Sequence, residues 1–103
     1  MLKHILYIGL NDKDTKQQEI NTIDAYKVIY NSLRAAGYDA ATITEARGVY
    51  THDDGTVTIE MSLEVSILFA EEAKTAALVD IVKKALNQEA IALQVVDVDS
   101  RLV

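Results

Sequence analysis

Residues 40 to 69, "AATITEARGVYTHDDGTVTIEMSLEVSILF", alternate polar and apolar side chains on either side of one tight turn. In the second half Val57, Ile59, Met61, Leu63, Val65, Ile67 and Phe69 take the odd positions, and Thr58, Glu60, Ser62, Glu64 and Ser66 the even ones. A period of two puts alternate side chains on opposite faces of a strand, so one face of this ribbon lies on a core and the other meets something polar. The turn "HDDGT" suits a type I turn at Asp53 and Asp54 followed by a left-handed Gly55, a three-residue loop in which His52 pairs with Thr56. That register sets Val49 against Ile59, Ile43 against Val65 and Ala41 against Ile67. A two-residue Asp54-Gly55 turn would set Val49 against Glu60 and Ile43 against Ser66, so the hydrophobic pattern selects the longer loop.

Outward from the ribbon, the flanking segments read as two helices and two further strands. Residues 3 to 10, "KHILYIGL", form a short apolar run with the pattern of a central strand buried on both faces. The polar stretch 11 to 20 is a connection longer than most, either functional or merely loose. Asn21 or Thr22 caps a helix whose apolar stripe is Ala25, Val28, Ile29, Leu33 and Ala36, stopped by Gly37. A second helix spans 71 to 88, with acids in its first turn, Lys83 and Lys84 towards its end, and a stripe of Leu78, Ile81, Val82 and Ala85. The last strand lies within "AIALQVVDVDSRLV", residues 90 to 103. The order β-α-β-β-α-β predicts an α+β, ferredoxin-like fold in one domain spanning 1-103: a four-stranded antiparallel sheet with both helices on one face.

Composition removes several classes of function. The formal charge of −6, with the few cations scattered along the chain, argues against a nucleic-acid partner. Without cysteine there is no disulfide, thiolate metal site or cysteine nucleophile. The N-terminal apolar run is too short to span a membrane and lacks a signal-peptide pattern, so the expectation is a cytoplasmic protein with no membrane partner. No Gly-rich phosphate loop, nucleophile elbow or helical His-x-x-x-His pattern occurs, and neither a catalytic residue, a metal ligand nor a cofactor is expected.

The segments "AATITEARGVY", "LEVSILF", "LVDIVKKAL" and "VVDVDSRLV" together resemble the PII-like signalling superfamily, ferredoxin-like trimers. The hairpin is also similar to that of uncharacterised short bacterial and phage proteins. The resemblance implies the fold and a homo-oligomer, a trimer ahead of a dimer. The long loop and the glycine- and lysine-rich segment by which nucleotide-binding members cradle phosphates are replaced here by "HDDG" and "NQEAIA". Nucleotide sensing therefore does not carry over.

Candidate ligand or interface residues are Glu45, Arg47, Tyr50, Glu60 and Glu64. Glu45 and Arg47 intrude on the apolar face of the ribbon, and the leading reading is an ion pair across subunits, with a ligand contact from Arg47 as the alternative. Tyr50 sits close to the turn with a flat apolar body and a polar tip, suited to an interface. His52, beside Asp53 and Asp54, is read as part of a solvated turn, and His4 as a strand residue. The function expected is a non-catalytic PII-like oligomer that binds a partner protein or a small ligand at subunit boundaries. Two alternatives stand beside it: a small enzyme of the isomerase or oxygenase type with a His or Tyr in a cleft, and a purely structural assembly protein.

Oligomerisation also follows from dimensions. Thirteen residues from Val57 to Phe69 extend about 43 Å, whereas a helix of about eighteen residues covers only about 27 Å. One chain's helices cannot cover the whole apolar row.

Overall fold

The computed structural model describes residues 1–103. Four strands, β1 (Leu2–Gly9), β2 (Thr42–Thr51), β3 (Val57–Ile67) and β4 (Ala92–Asp97), form one antiparallel sheet in the order β2-β3-β1-β4. Helices α1 (Thr22–Ala36) and α2 (Glu72–Ala85) pack side by side on one face. This is the ferredoxin-like α+β fold. No helix is long and apolar enough to cross a membrane.

The ribbon has the register its hydrophobic pattern requires: Val49 faces Ile59, Ile43 faces Val65 and Thr51 faces Val57. The loop closes as a three-residue turn, in which the His52 N–H donates to the Thr56 carbonyl at 2.8 Å and Gly55 takes a φ of 87°. Asp54 accepts from both the amide and the hydroxyl of Thr56. Those two bonds hold its carboxyl below the usual aspartate range, the hydroxyl contributing most.

The core forms where the sheet meets the helices. Leu6 and Ile8 of β1, Leu63, Val65 and Ile67 of β3, Ala25, Ile29 and Leu33 of α1, and Leu78 and Val82 of α2 are buried together. Asn21 caps α1, its Oδ1 accepting the Asp24 N–H at 2.8 Å, and Gly37 ends it with a φ of 98°. On α2, Thr75 joins Leu78 and Val82 in the buried stripe while Ala85 is exposed.

Four expectations are corrected. β1 is central but buried on one face only: His4, Leu6 and Ile8 are covered by the helices, while Tyr7 on the other face is exposed, because no second layer covers that side within the chain. β3 ends at Ile67, and Phe69 leaves the apolar row with a φ of 54° as the chain turns into α2. β4 is limited to Ala92–Asp97, ending where Asp97 faces Leu2 at the start of β1, and α2 is shorter at both ends than 71 to 88.

Burial fades along the ribbon. On its helix-side face Leu63, Val65 and Ile67 are buried and Met61 is half-buried, but Val49, Val57 and Ile59 are 58–69% exposed. The molecule is correspondingly elongated, 47 × 24 × 22 Å.

Candidate functional site

The opposite face of the same ribbon end forms one wall of the largest cleft, about 640 Å³. Strand alternation aligns Tyr50, His52, Thr58 and Glu60 on this face. The loop that follows β1 supplies Asn11, Asp12, Lys13 and Lys16, and the turn between α2 and β4 supplies Gln88, Glu89 and Ala90.

Glu60 is the fixed point. One carboxylate oxygen accepts the Asn11 N–H at 2.8 Å, and the carboxyl group lies over Gly9, where a Cβ would meet it at 2.5–2.7 Å. Glycine at position 9 therefore gives the carboxylate its room. The Asn11 carbonyl in turn accepts from the Gln88 side chain at 2.7 Å, so hairpin, loop and turn are joined through Asn11. At the tip, His52 Nε2 is hydrogen bonded to Thr58 Oγ1 at 2.7 Å, and its ring meets Tyr50 edge-on with centroids 4.8 Å apart. His52 is solvent-exposed beside the turn, as expected, and is also one half of an aromatic pair in the cleft wall.

The 11–20 loop is built to hold its shape. One Asp12 oxygen accepts the amides of Asp14 and Thr15, and the other accepts from the Asn87 side chain at 2.9 Å. Asn87 also donates to Asp14 and takes a left-handed φ of 48°, a conformation asparagine tolerates better than most residues. The Asn87 bond, followed by those from Thr15 and Asp14, depresses the Asp12 carboxyl below its ordinary value. Lys13 and Lys16 of this stapled loop line the cleft.

Of the five residues singled out in the sequence, Tyr50 and Glu60 meet in the cleft. Glu64 shares their sheet face but lies four residues further along β3, opposite Tyr7 and Thr44. Glu45 and Arg47 lie on the helix-side face, opposite Leu63 and Met61, away from the cleft, and neither forms an ion pair within the chain. Sequence reasoning missed Asn11, Asp12, Lys13, Lys16 and Gln88. Their signal was the length and polarity of the 11–20 connection. No group of three or more His, Cys, Asp or Glu side chains is arranged to hold a metal ion.

No protein-family model matches the chain, and no curated protein matches it. Solved structures do. A phage SAM lyase in complex with S-methyl-5'-thioadenosine superposes with a TM-score of 0.67 at 22% identity, over 93% of this chain and 80% of the other. CutA1 from Pyrococcus horikoshii gives 0.58 at 20% identity, over 96% and 86%. A GlnK–ATP complex from B. subtilis gives 0.59 at 10% identity, over 92% and 82%. At these identities the likeness is one of fold alone.

Proposed function

We propose that this protein is a homo-oligomer whose cleft binds the sulfonium nucleoside S-adenosylmethionine and splits it, releasing S-methyl-5'-thioadenosine. The observation that carries this reading is Glu60: a half-buried carboxylate, anchored by the Asn11 amide and seated over Gly9, in a cleft shared with the Tyr50–His52 pair. Each part of the substrate has a complement there. The carboxylate suits the sulfonium, the aromatic pair suits a purine ring, Lys13 and Lys16 suit the amino-acid carboxylate, and Asp12 and Glu89 suit its ammonium. The fold likeness to a phage SAM lyase adds support.

The bond from sulfur to the methionine carbon chain breaks with both electrons on sulfur, so the thioether leaves neutral, while the substrate's own carboxylate closes on the freed carbon to give homoserine lactone, a step that balances without a further reactant. An anion beside the sulfonium therefore favours bound substrate over transition state, and Glu60 acts by capture and orientation more than by charge stabilisation of the barrier.

Incubating the protein with S-adenosylmethionine and following S-methyl-5'-thioadenosine by liquid chromatography and mass spectrometry tests the reading. Release that depends on Glu60 supports it. Binding by calorimetry without release returns the protein to a non-catalytic, ligand-binding oligomer. Neither binding nor release removes the cleft assignment and leaves protein partnership or structural assembly.

A further inference from the structure

A groove of about 380 Å³ runs between α2 and β4 and shares no lining residue with the cleft. Its walls are Ala76 and Val79 of the helix and Leu93 and Val95 of the strand. Glu72 and Asp80 line it from the same stripe of α2, both exposed and neither in an ion pair within the chain. The helical rise between them sets the two carboxylates about 12 Å apart along the axis, one towards each end of the groove. No Lys or Arg lines it.

His4 is 1% exposed, lies beside Val95 on the sheet and lines the groove from the sheet side. Its contacts fix its tautomer. Tyr38 Oη lies 2.9 Å from both the amide and the carbonyl of Glu71 and 2.7 Å from Thr75 Oγ1, which in turn lies 2.7 Å from His4 Nδ1. The amide donates to Tyr38, and the Tyr38 proton goes to the Glu71 carbonyl; Thr75 must then donate to Tyr38, and His4 Nδ1–H to Thr75. Only this arrangement gives every contact a proton. The neutral imidazole is left with a bare acceptor at Nε2, buried and without a partner. A ligand N–H would remove that cost.

We infer that the groove is a binding site of its own, for a linear aliphatic polyamine laid along α2 with a terminal ammonium at each of Glu72 and Asp80 and an internal N–H on His4 Nε2. Thr75, which holds the imidazole, stands nearer in the helix to Glu72 than to Asp80, so the internal donor belongs off-centre. Spermidine, with unequal methylene chains on either side of its secondary amine, has that asymmetry and spans about 11 Å when extended. Its methylenes would meet the apolar walls, and its amines two carboxylates and an acceptor that nothing in the chain satisfies. Carboxylates at opposite ends of a groove do not converge on a metal ion. The net charge of −6 attracts any cation but does not select one by length. The inference is independent of the chemistry in the cleft.

His4 and His52 are the only histidines, so their imidazole nitrogens can be read separately by NMR in nitrogen-labelled protein. The free protein is expected to show His4 as the Nδ1–H tautomer, and spermidine to shift its Nε2 signal. Calorimetry should give one spermidine per chain. Butylamine, with a single ammonium, should bind at least about tenfold more weakly. Spermidine should lose as much on the double variant Glu72→Gln with Asp80→Asn, whose substitutions lie at exposed positions and leave the core untouched. An Nε2–H tautomer would overturn the inference, since the bare acceptor would be gone. So would a His4 shift with magnesium chloride equal to that with spermidine, which reduces the effect to diffuse attraction of cations. Undiminished binding to the double variant would place the polyamine elsewhere, and no binding at millimolar spermidine would reject the site outright.

Discussion

At the scale of single residues, the cleft turns on whether Glu60 carries its charge where Asn11 and Gly9 hold it. Glu60→Gln keeps the shape and removes the charge. It is expected to weaken S-adenosylmethionine by at least about tenfold, roughly 1.4 kcal/mol, and to leave the neutral S-methyl-5'-thioadenosine almost unaffected. Calorimetry with both ligands checks the split; equal losses would point to a structural role for the side chain. Asp12 offers a second measurement. Its carboxyl is depressed in the folded state by Asn87, Thr15 and Asp14, so its contribution to stability is complete above the unfolded value near 3.8 and is lost as pH falls through that value towards the folded one. Asp12→Asn should therefore flatten the acid limb of a plot of Tm against pH. The sequence displayed Tyr50 and Glu60 because strand alternation fixes their face. It did not display Asn11, Lys13 or Gln88, whose convergence depends on side-chain bonds between segments more than seventy residues apart.

Among the elements, the β2–β3 hairpin was the most legible, because its hydrophobic pairing and its turn chemistry demand the same register. Gly55 holds a φ of 87° with no atom near the position of a Cβ, so a substitution there meets backbone strain and no steric clash. Gly55→Val should lower stability by about 1 kcal/mol or more while the sheet survives, a change visible in thermal melting followed by circular dichroism. An unchanged Tm would reject the left-handed assignment. Element ends were less legible. Phe69 continues the alternation in sequence but not in space, since the turn into α2 takes precedence over the pattern. The strand pattern of residues 90 to 103 likewise outlasts the edge of β1 available to pair with it. Apolar residues on both parities of β1 suggested burial on both faces, yet one chain has helices enough for one.

For the whole molecule, the uncovered ribbon tip and the exposed side of β1 leave apolar side chains in water on both faces of the sheet, surface that association would bury. Light scattering coupled to size exclusion is expected to give about three times the chain mass; a dimer would keep the argument from burial and reject the ring of three. The four-element sheet and its covered face could be anticipated from spacing alone, whereas assembly depends on surfaces that no single chain completes. The ribbon's projection beyond its own helices has one further consequence. Tyr50, His52 and Thr58 ride on the end of the sheet with the least support from its own core, beyond the point where Glu60 is tied to Asn11, in effect a lever clamped at one end. A neighbour holding the free end stiffens the wall of the cleft, so association and ligand capture share one free energy. Turnover per subunit should then fall on dilution through the oligomer's dissociation range and recover on concentration, a dependence that stopped-flow assays at nanomolar protein would record and that a rigid, self-sufficient site would lack.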